Sequence, residues 1–191
     1  MAELAIKPMT LDEFLRWDDG TETHYELIAG FPAVIARSIE AQRVIAVRLA
    51  TRIDAGLSGR RPCRALIQAG VIAPESADTY FVADITATCA PVEPGRQVTK
   101  DPFLIVEILS PSTERHDRRL KLPDYRQIST VREIVLIASD GLYAELHRRS
   151  GTQWITETLC DGEARLSLTS VGVEIAIADL YEGIALDDAV S

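Results

Sequence analysis

The chain has 191 residues, 47% of them hydrophobic and 26% charged, with a formal net charge of −9. This length and balance fit a soluble globular protein with a real core, and no apolar run approaches the roughly 20 residues of a membrane span. The acidic balance argues against non-specific coating of nucleic acid but leaves room for a local basic groove. Much of the acid lies near the end, at Glu174, Asp179, Glu182, Asp187 and Asp188. The opening residues "MAELAIKPMTLDEF" carry neither a signal-peptide core nor an Arg-rich transit pattern, so a cytoplasmic location is expected.

In chain order, Thr10 with Glu13 three residues on has the form of a capping box, and it predicts a short amphipathic helix ending near Asp19-Gly20. "THYELIAGFPAVIA" predicts a hairpin about Ala29-Gly30. "SIEAQRVIAVRLATRIDAG" predicts a helix with Ser38 as cap, Gly56 as stop, and Ile39, Val44, Val47 and Ile53 among its apolar positions. "RALIQAGVIAP" and "TYFVADITATCAP" read as strands, and the near-continuous apolarity of "PFLIVEILS" predicts a central strand covered on both faces. A polar, partly helical segment from Thr113 to Ile128 then leads into the strand "REIVLIAS", as in a right-handed βαβ crossover. "LYAELHRRSG" and "TQWITETLCDG" form a hairpin, and "VGVEIAIADLYEGI" one more strand and a terminal turn. The whole is expected to be one α/β domain over 1–191 with a mixed sheet, its core at about 38–138.

Cys63, Cys89 and Cys160 are odd in number and widely spaced, which predicts buried free thiols and no structural metal. Dinucleotide, P-loop, nucleophile-elbow and HExxH motifs are absent. What remains is a carboxylate pattern. Asp84 in "YFVADITATC" and Glu107 in "PFLIVEILS" are each the single acid of an apolar strand. A buried unpaired carboxylate costs several kcal/mol, of the order of the penalty per buried ion, so each needs a partner or water. On adjacent strands the two could converge on one Mg²⁺, an ion that keeps several waters. The structural alternative pairs Glu107 with Arg115 or Lys121 and gives Asp84 a turn to cap.

"YELIAG", "VADI" and above all "VEILSPSTERHDRRLKLPDY" resemble the Uma-type restriction-endonuclease family, a branch of the PD-(D/E)XK nuclease superfamily. The resemblance covers about Met9 to Ile137. It implies an αβββαβ core, extended here by an N-terminal helix and hairpin and a C-terminal β-hairpin. It implies a site in which Asp84 and Glu107 bind Mg²⁺, with Mn²⁺ as a substitute, helped by the backbone carbonyl of Ile108. Glu26 matches the family's early acid, and Lys121 its lysine, which orients the attacking water; Tyr125 lies on the next turn. The substrate implied is nucleic acid, DNA first, cut as a phosphodiester, with no membrane partner and a homodimer to reach both strands. Arg115, Arg118, Arg119 and Tyr125 are the candidate substrate contacts, against a solvated, salt-bridged face as the plainer role for the arginines.

The sequence departs from the family pattern at three places. Ala83 stands for the usual Pro, Ala41 for a His, and Pro123 falls inside the helical segment; Leu109, where the wider superfamily has its Lys, fits the Uma-type pattern, whose lysine lies further along at Lys121. Pro123 threatens a helix running from Thr113, and a regular helix starting at Pro123 would leave Lys121 in the preceding turn. These departures support a second reading, a catalytically inactive nuclease fold that serves as a binding module.

Overall fold

In the computed structural model, which describes residues 7–73 and 78–186, a large sheet organises the chain. Asp187 and Asp188 of the acidic terminal group lie outside the described residues. The strands are β1 (Tyr25–Ile28), β2 (Phe31–Val34), β3 (Arg64–Ile72), β4 (Tyr80–Thr88), β5 (Pro102–Leu109), β6 (Glu133–Ala138), β7 (Ala144–Ser150) and β8 (Gln153–Leu159). They run in the order β2-β1-β4-β5-β6-β7-β8, with β3 also paired to β4. Pairing is antiparallel throughout except for β5 with β6, which is parallel, as a βαβ crossover requires.

All eight residues of β5 are buried, the central strand expected of "PFLIVEIL". Its side chains alternate between two cores. Leu104, Val106 and Ile108 pack with Ile45, Leu49 and Ile53 of α2 (Glu40–Gly56), whereas Ile105 and Leu109 pack with Leu122 and Tyr125. Period two therefore sends Glu107 to the side where Tyr125 lies. The chain there is helical from Glu114 to Gln127, as α3 (Glu114–His116), a π-helical turn (Asp117–Lys121) and α4 (Leu122–Gln127). This corrects the choice posed by Pro123. The helix neither breaks at Lys121 nor waits for Pro123; a π-turn, in which Leu122 N–H donates to Asp117 O, admits the proline at the start of α4.

Other expectations need correction. The capping box at Thr10 forms, but α1 is only Leu11–Phe14. Helix α2 starts after Ile39, whose N–H is accepted by Gln42 Oε1 at 3.0 Å, so Ser38 is not its cap. Its buried stripe is Gln42, Ile45, Leu49 and Ile53, while Ile39 and Val47 are exposed. Gly56 is the last helical residue, and packing explains it better than termination does: a Cβ there would run into Val173 and the Val171 carbonyl. Val173 opens β10 (Val173–Ala176) and Val171 lies in the turn that joins it to β9 (Arg165–Leu168); this second sheet, with α5 (Ile177–Tyr181), closes the α2 side, and β9 is unanticipated.

Glu133 fastens that sheet to the first. Its buried carboxylate accepts from the backbone N–H and hydroxyl groups of Thr169 and Ser170, and Arg148 Nε donates at 3.1 Å. Cys63 and Cys89, expected as free thiols, form a disulfide just beyond the rung where Arg64, the first residue of β3, pairs with Thr88, the last of β4; Cys160 is free but exposed. Trp17 packs against Phe14 and Tyr25, and Trp154 lies under the Arg149 guanidinium. No described helix is long and apolar enough to cross a membrane.

Candidate active site

Four carboxylates and one ammonium meet where β1, β4, β5 and the π-turn come together. Lys121 Nζ lies 2.9 Å from Glu26 Oε1, 3.3 Å from Glu107 Oε1 and 3.4 Å from Asp117 Oδ1, and it donates to the Val82 carbonyl at 3.1 Å. Asp84, on β4, accepts from Ile108 N–H at 2.7 Å through Oδ2. The sequence-predicted Asp84, Glu107, Lys121 and Glu26 thus come together although they stand on four separate elements. They line one cavity of about 290 Å³ with His116, Gln42 and Ile108.

The π-turn decides which side chains enter. Asp117 and Lys121, four residues apart, are both buried at this cavity, 4% and 6% exposed, while Arg119 between them faces solvent. Strand β4 changes character at the same level. Phe81 and Ala83 belong to the core on the Tyr125 side, but Ile85 and Ala87, of equal parity, belong to the α2 side. The changeover falls at Asp84.

The acids divide electrostatically into two classes. For Glu26, burial is outweighed by the His116 hydrogen bond at 3.0 Å, the Lys121 charge and the Val82 N–H at 2.8 Å, so its carboxyl sits below its ordinary pKa. Both Glu26 oxygens are used. Asp84 is the reverse: burial dominates and, with the Asp117 and Glu26 charges, lifts it to about 6 despite Ile108 and Lys121. Glu107 is pushed well above its usual value by burial and by Asp84 and Asp117, against the pull of Lys121 and the Tyr125 hydroxyl. Burial alone would lower the Lys121 ammonium, but the three acids around it raise its pKa well above the usual lysine range. One lysine cannot neutralise four acids, and the deficit falls on Asp84 and Glu107.

That deficit is what a divalent cation would fill. The hydrogen bonds accepted by Asp84 and Glu107 fall on Oδ2 and Oε1, leaving Oδ1 and Oε2 without a donor among the described residues. The Ile108 carbonyl accepts from Gln42 Nε2 at 2.6 Å and keeps a second lone pair. No three His, Cys, Asp or Glu side chains among the described residues gather as a metal cluster. Two carboxylates and a carbonyl, completed by water, suit a hard cation such as Mg²⁺.

The four expected substrate contacts look different in place. Tyr125 is 1% exposed and donates to Glu107 Oε1 at 2.6 Å, so it is out of reach of a bound strand and holds a carboxylate instead. Arg118 is clamped by Glu114 at 2.8 Å and by Glu145 at 2.9 Å, the salt-bridged role. Arg115 and Arg119 are exposed and stand outside the carboxylate cavity. Conversely, Asp117, His116 and Gln42 belong to the site without having been singled out. Asp117 had a readable signal, an acid four residues before the lysine on one helical face.

A mixed sheet with a buried cluster of carboxylates and a lysine at the end of its central strand defines a nuclease-like α/β scaffold. The chain belongs to the Uma2 family, described as "Putative restriction endonuclease", whose model matches residues 11–178. It is 28% identical over 176 residues to "Uncharacterized protein slr1290" of Synechocystis, covering 91% of this chain and 92% of that one. Its fold resembles the crystal structure of "a putative nuclease belonging to DUF820" from Anabaena variabilis, with a TM-score of 0.74 and 23% identity over 92% of this chain and 98% of that one.

Proposed function

We propose that this protein is an endonuclease that hydrolyses DNA phosphodiester bonds with Mg²⁺ held by Asp84, Glu107 and the Ile108 carbonyl. The observation that carries this reading is the charge deficit: Asp84 and Glu107 are buried together, raised above their ordinary pKa values, with only Lys121 between four acids. Bound there, the ion supplies Lewis acidity toward phosphate and water. Lys121 directs its N–H groups at the attacking water and at the negative charge that develops on phosphorus oxygens. Glu26 and Asp117 keep that ammonium charged and in place. Tyr125 and Gln42 orient the Glu107 carboxylate and the Ile108 carbonyl. Cutting both strands of a duplex calls for two sites, which a homodimer would provide.

The test is plasmid nicking by wild type with Mg²⁺, with Mn²⁺ and with EDTA, beside Asp84→Asn and Glu107→Gln. Cleavage that needs the metal and vanishes in both folded variants is the expected result; cleavage surviving in both would defeat the assignment. One observation favours the rival, a nuclease fold kept as an inactive binding module. The Lys121 ammonium already has four oxygen neighbours within 3.4 Å and is 6% exposed. That module would bind DNA and never nick it.

A further inference from the structure

A second cavity, of about 440 Å³, shares Val82, Asp84 and the segment Ile35–Ser38 with the carboxylate cavity and continues past Asp84 to Arg43 and Gln68. Strands β3 and β4 pair in one register from Arg64–Thr88 to Ile72–Tyr80, but the rung that would join Gln68 to Asp84 is missing. Gln68 has a φ of +47°, left-handed backbone that a residue with a side chain rarely adopts. The twist therefore opens the sheet beside the acid that the proposed reaction uses.

Two arginines line this extension. Arg37 forms no ion pair or hydrogen bond among the described residues, and Arg43 spends one N–H on the Ser38 carbonyl and forms no ion pair among them. Both are exposed. Arg61, Arg115, Arg119 and Arg132 likewise form no ion pair among the described residues, but Arg37 and Arg43 are the arginines that line the groove beside Asp84, and in a chain of net charge −9 two unpaired guanidinium groups so placed mark an anion path.

We propose that Arg37 and Arg43, and not the Arg115–Arg119 segment, hold the substrate strand, by contacting phosphates that flank the scissile one along the groove between the Ile35–Ser38 segment and Gln68. The proposal rests on the nuclease reading and names how that site takes its polyanion. Arg37 and Arg43 reach backbone phosphate and no base edge is needed, so binding through them is insensitive to sequence and sensitive to salt.

The experiment is fluorescence anisotropy of a labelled duplex of about 20 base pairs, with Ca²⁺ present, across a salt series. The proteins are wild type, the Arg37→Ala/Arg43→Ala double variant, the Arg37→Lys/Arg43→Lys double variant and Arg115→Ala/Arg119→Ala. Loss of two phosphate contacts should weaken binding at least about tenfold at physiological salt and flatten the slope of log K against log salt by about two. The lysine pair should restore most of the slope, and Arg115→Ala/Arg119→Ala should match wild type. Unchanged affinity and slope in Arg37→Ala/Arg43→Ala, with wild type binding, would overturn this assignment and leave the nuclease reading intact. A wild type that binds neither this duplex nor its single strands would overturn both.

Discussion

Tyr125 reaches Glu107 across the interior, its hydroxyl donating to Oε1 at 2.6 Å while Lys121 Nζ approaches the same oxygen at 3.3 Å. The acid is held from one side, so Oε2 is the oxygen left for a cation. The tyrosine thereby helps to keep ionised a carboxylate whose burial opposes ionisation.

Replacing Tyr125 by Phe removes that donor with little change of volume. Glu107 should then ionise at still higher pH, and a metal that needs the carboxylate should bind about 10- to 100-fold more weakly near neutrality. Cleavage assayed from pH 6 to pH 9 should show the loss shrinking as pH rises. A loss independent of pH would mean that the hydroxyl does not act through Glu107.

Asp84→Asn should trade function for stability. The wild-type carboxylate is held at about 6 by burial, so at pH 7 and above its charge costs the fold free energy. An amide of the same shape can still accept from Ile108 N–H without that charge. Urea denaturation without metal should find the variant more stable than wild type by about 1–3 kcal/mol. Added Mg²⁺ should stabilise wild type and leave the variant unchanged.

Glu133 gives the opposite sign. Its pKa is lowered: burial is outweighed by the donors of Ser170 and Thr169 and by Arg148. The stability it contributes is therefore present above the ordinary carboxylate pKa and is lost as pH falls through the lower folded value. Glu133→Gln should cost about 2–3 kcal/mol at pH 7, and the difference from wild type should narrow in denaturation curves below pH 4.

The disulfide joins Cys63 and Cys89, 26 positions apart in the chain. Loop-closure entropy for that span predicts about 3 kcal/mol of stabilisation. Urea melts of wild type with and without reductant, beside Cys63→Ser/Cys89→Ser, should show that difference only in wild type.

What the residues reveal in advance depends on how local the cause is. Asp84 and Glu107 stand out because an acid in an apolar strand is costly wherever the strand packs. Strand alternation then assigns Glu107 to the side opposite Ile108. The π-turn at Asp117–Lys121 is not legible, because whether Pro123 breaks a helix or widens one turn depends on what lies beneath it, here Glu26 and Glu107. The Cys63–Cys89 pairing needs the register of β3 on β4, which spacing alone does not reveal. Gln42 hides for a similar reason: a polar residue in a helical stripe looks solvated until a carbonyl from a strand 66 residues away meets it. The arginines of the Arg115–Arg119 segment attract attention by density, yet Arg118 is consumed by Glu114 and Glu145.

The central claim is that the charge deficit at Asp84 and Glu107 is filled by a divalent cation. Calorimetric titration of Mg²⁺ into the wild-type protein and into Glu107→Gln at pH 7.5 tests it most directly. The account predicts saturable binding of the ion by wild type, with protons released as Glu107 ionises, and no such binding by the variant. Equal binding by both, or none by a folded wild type, would contradict it.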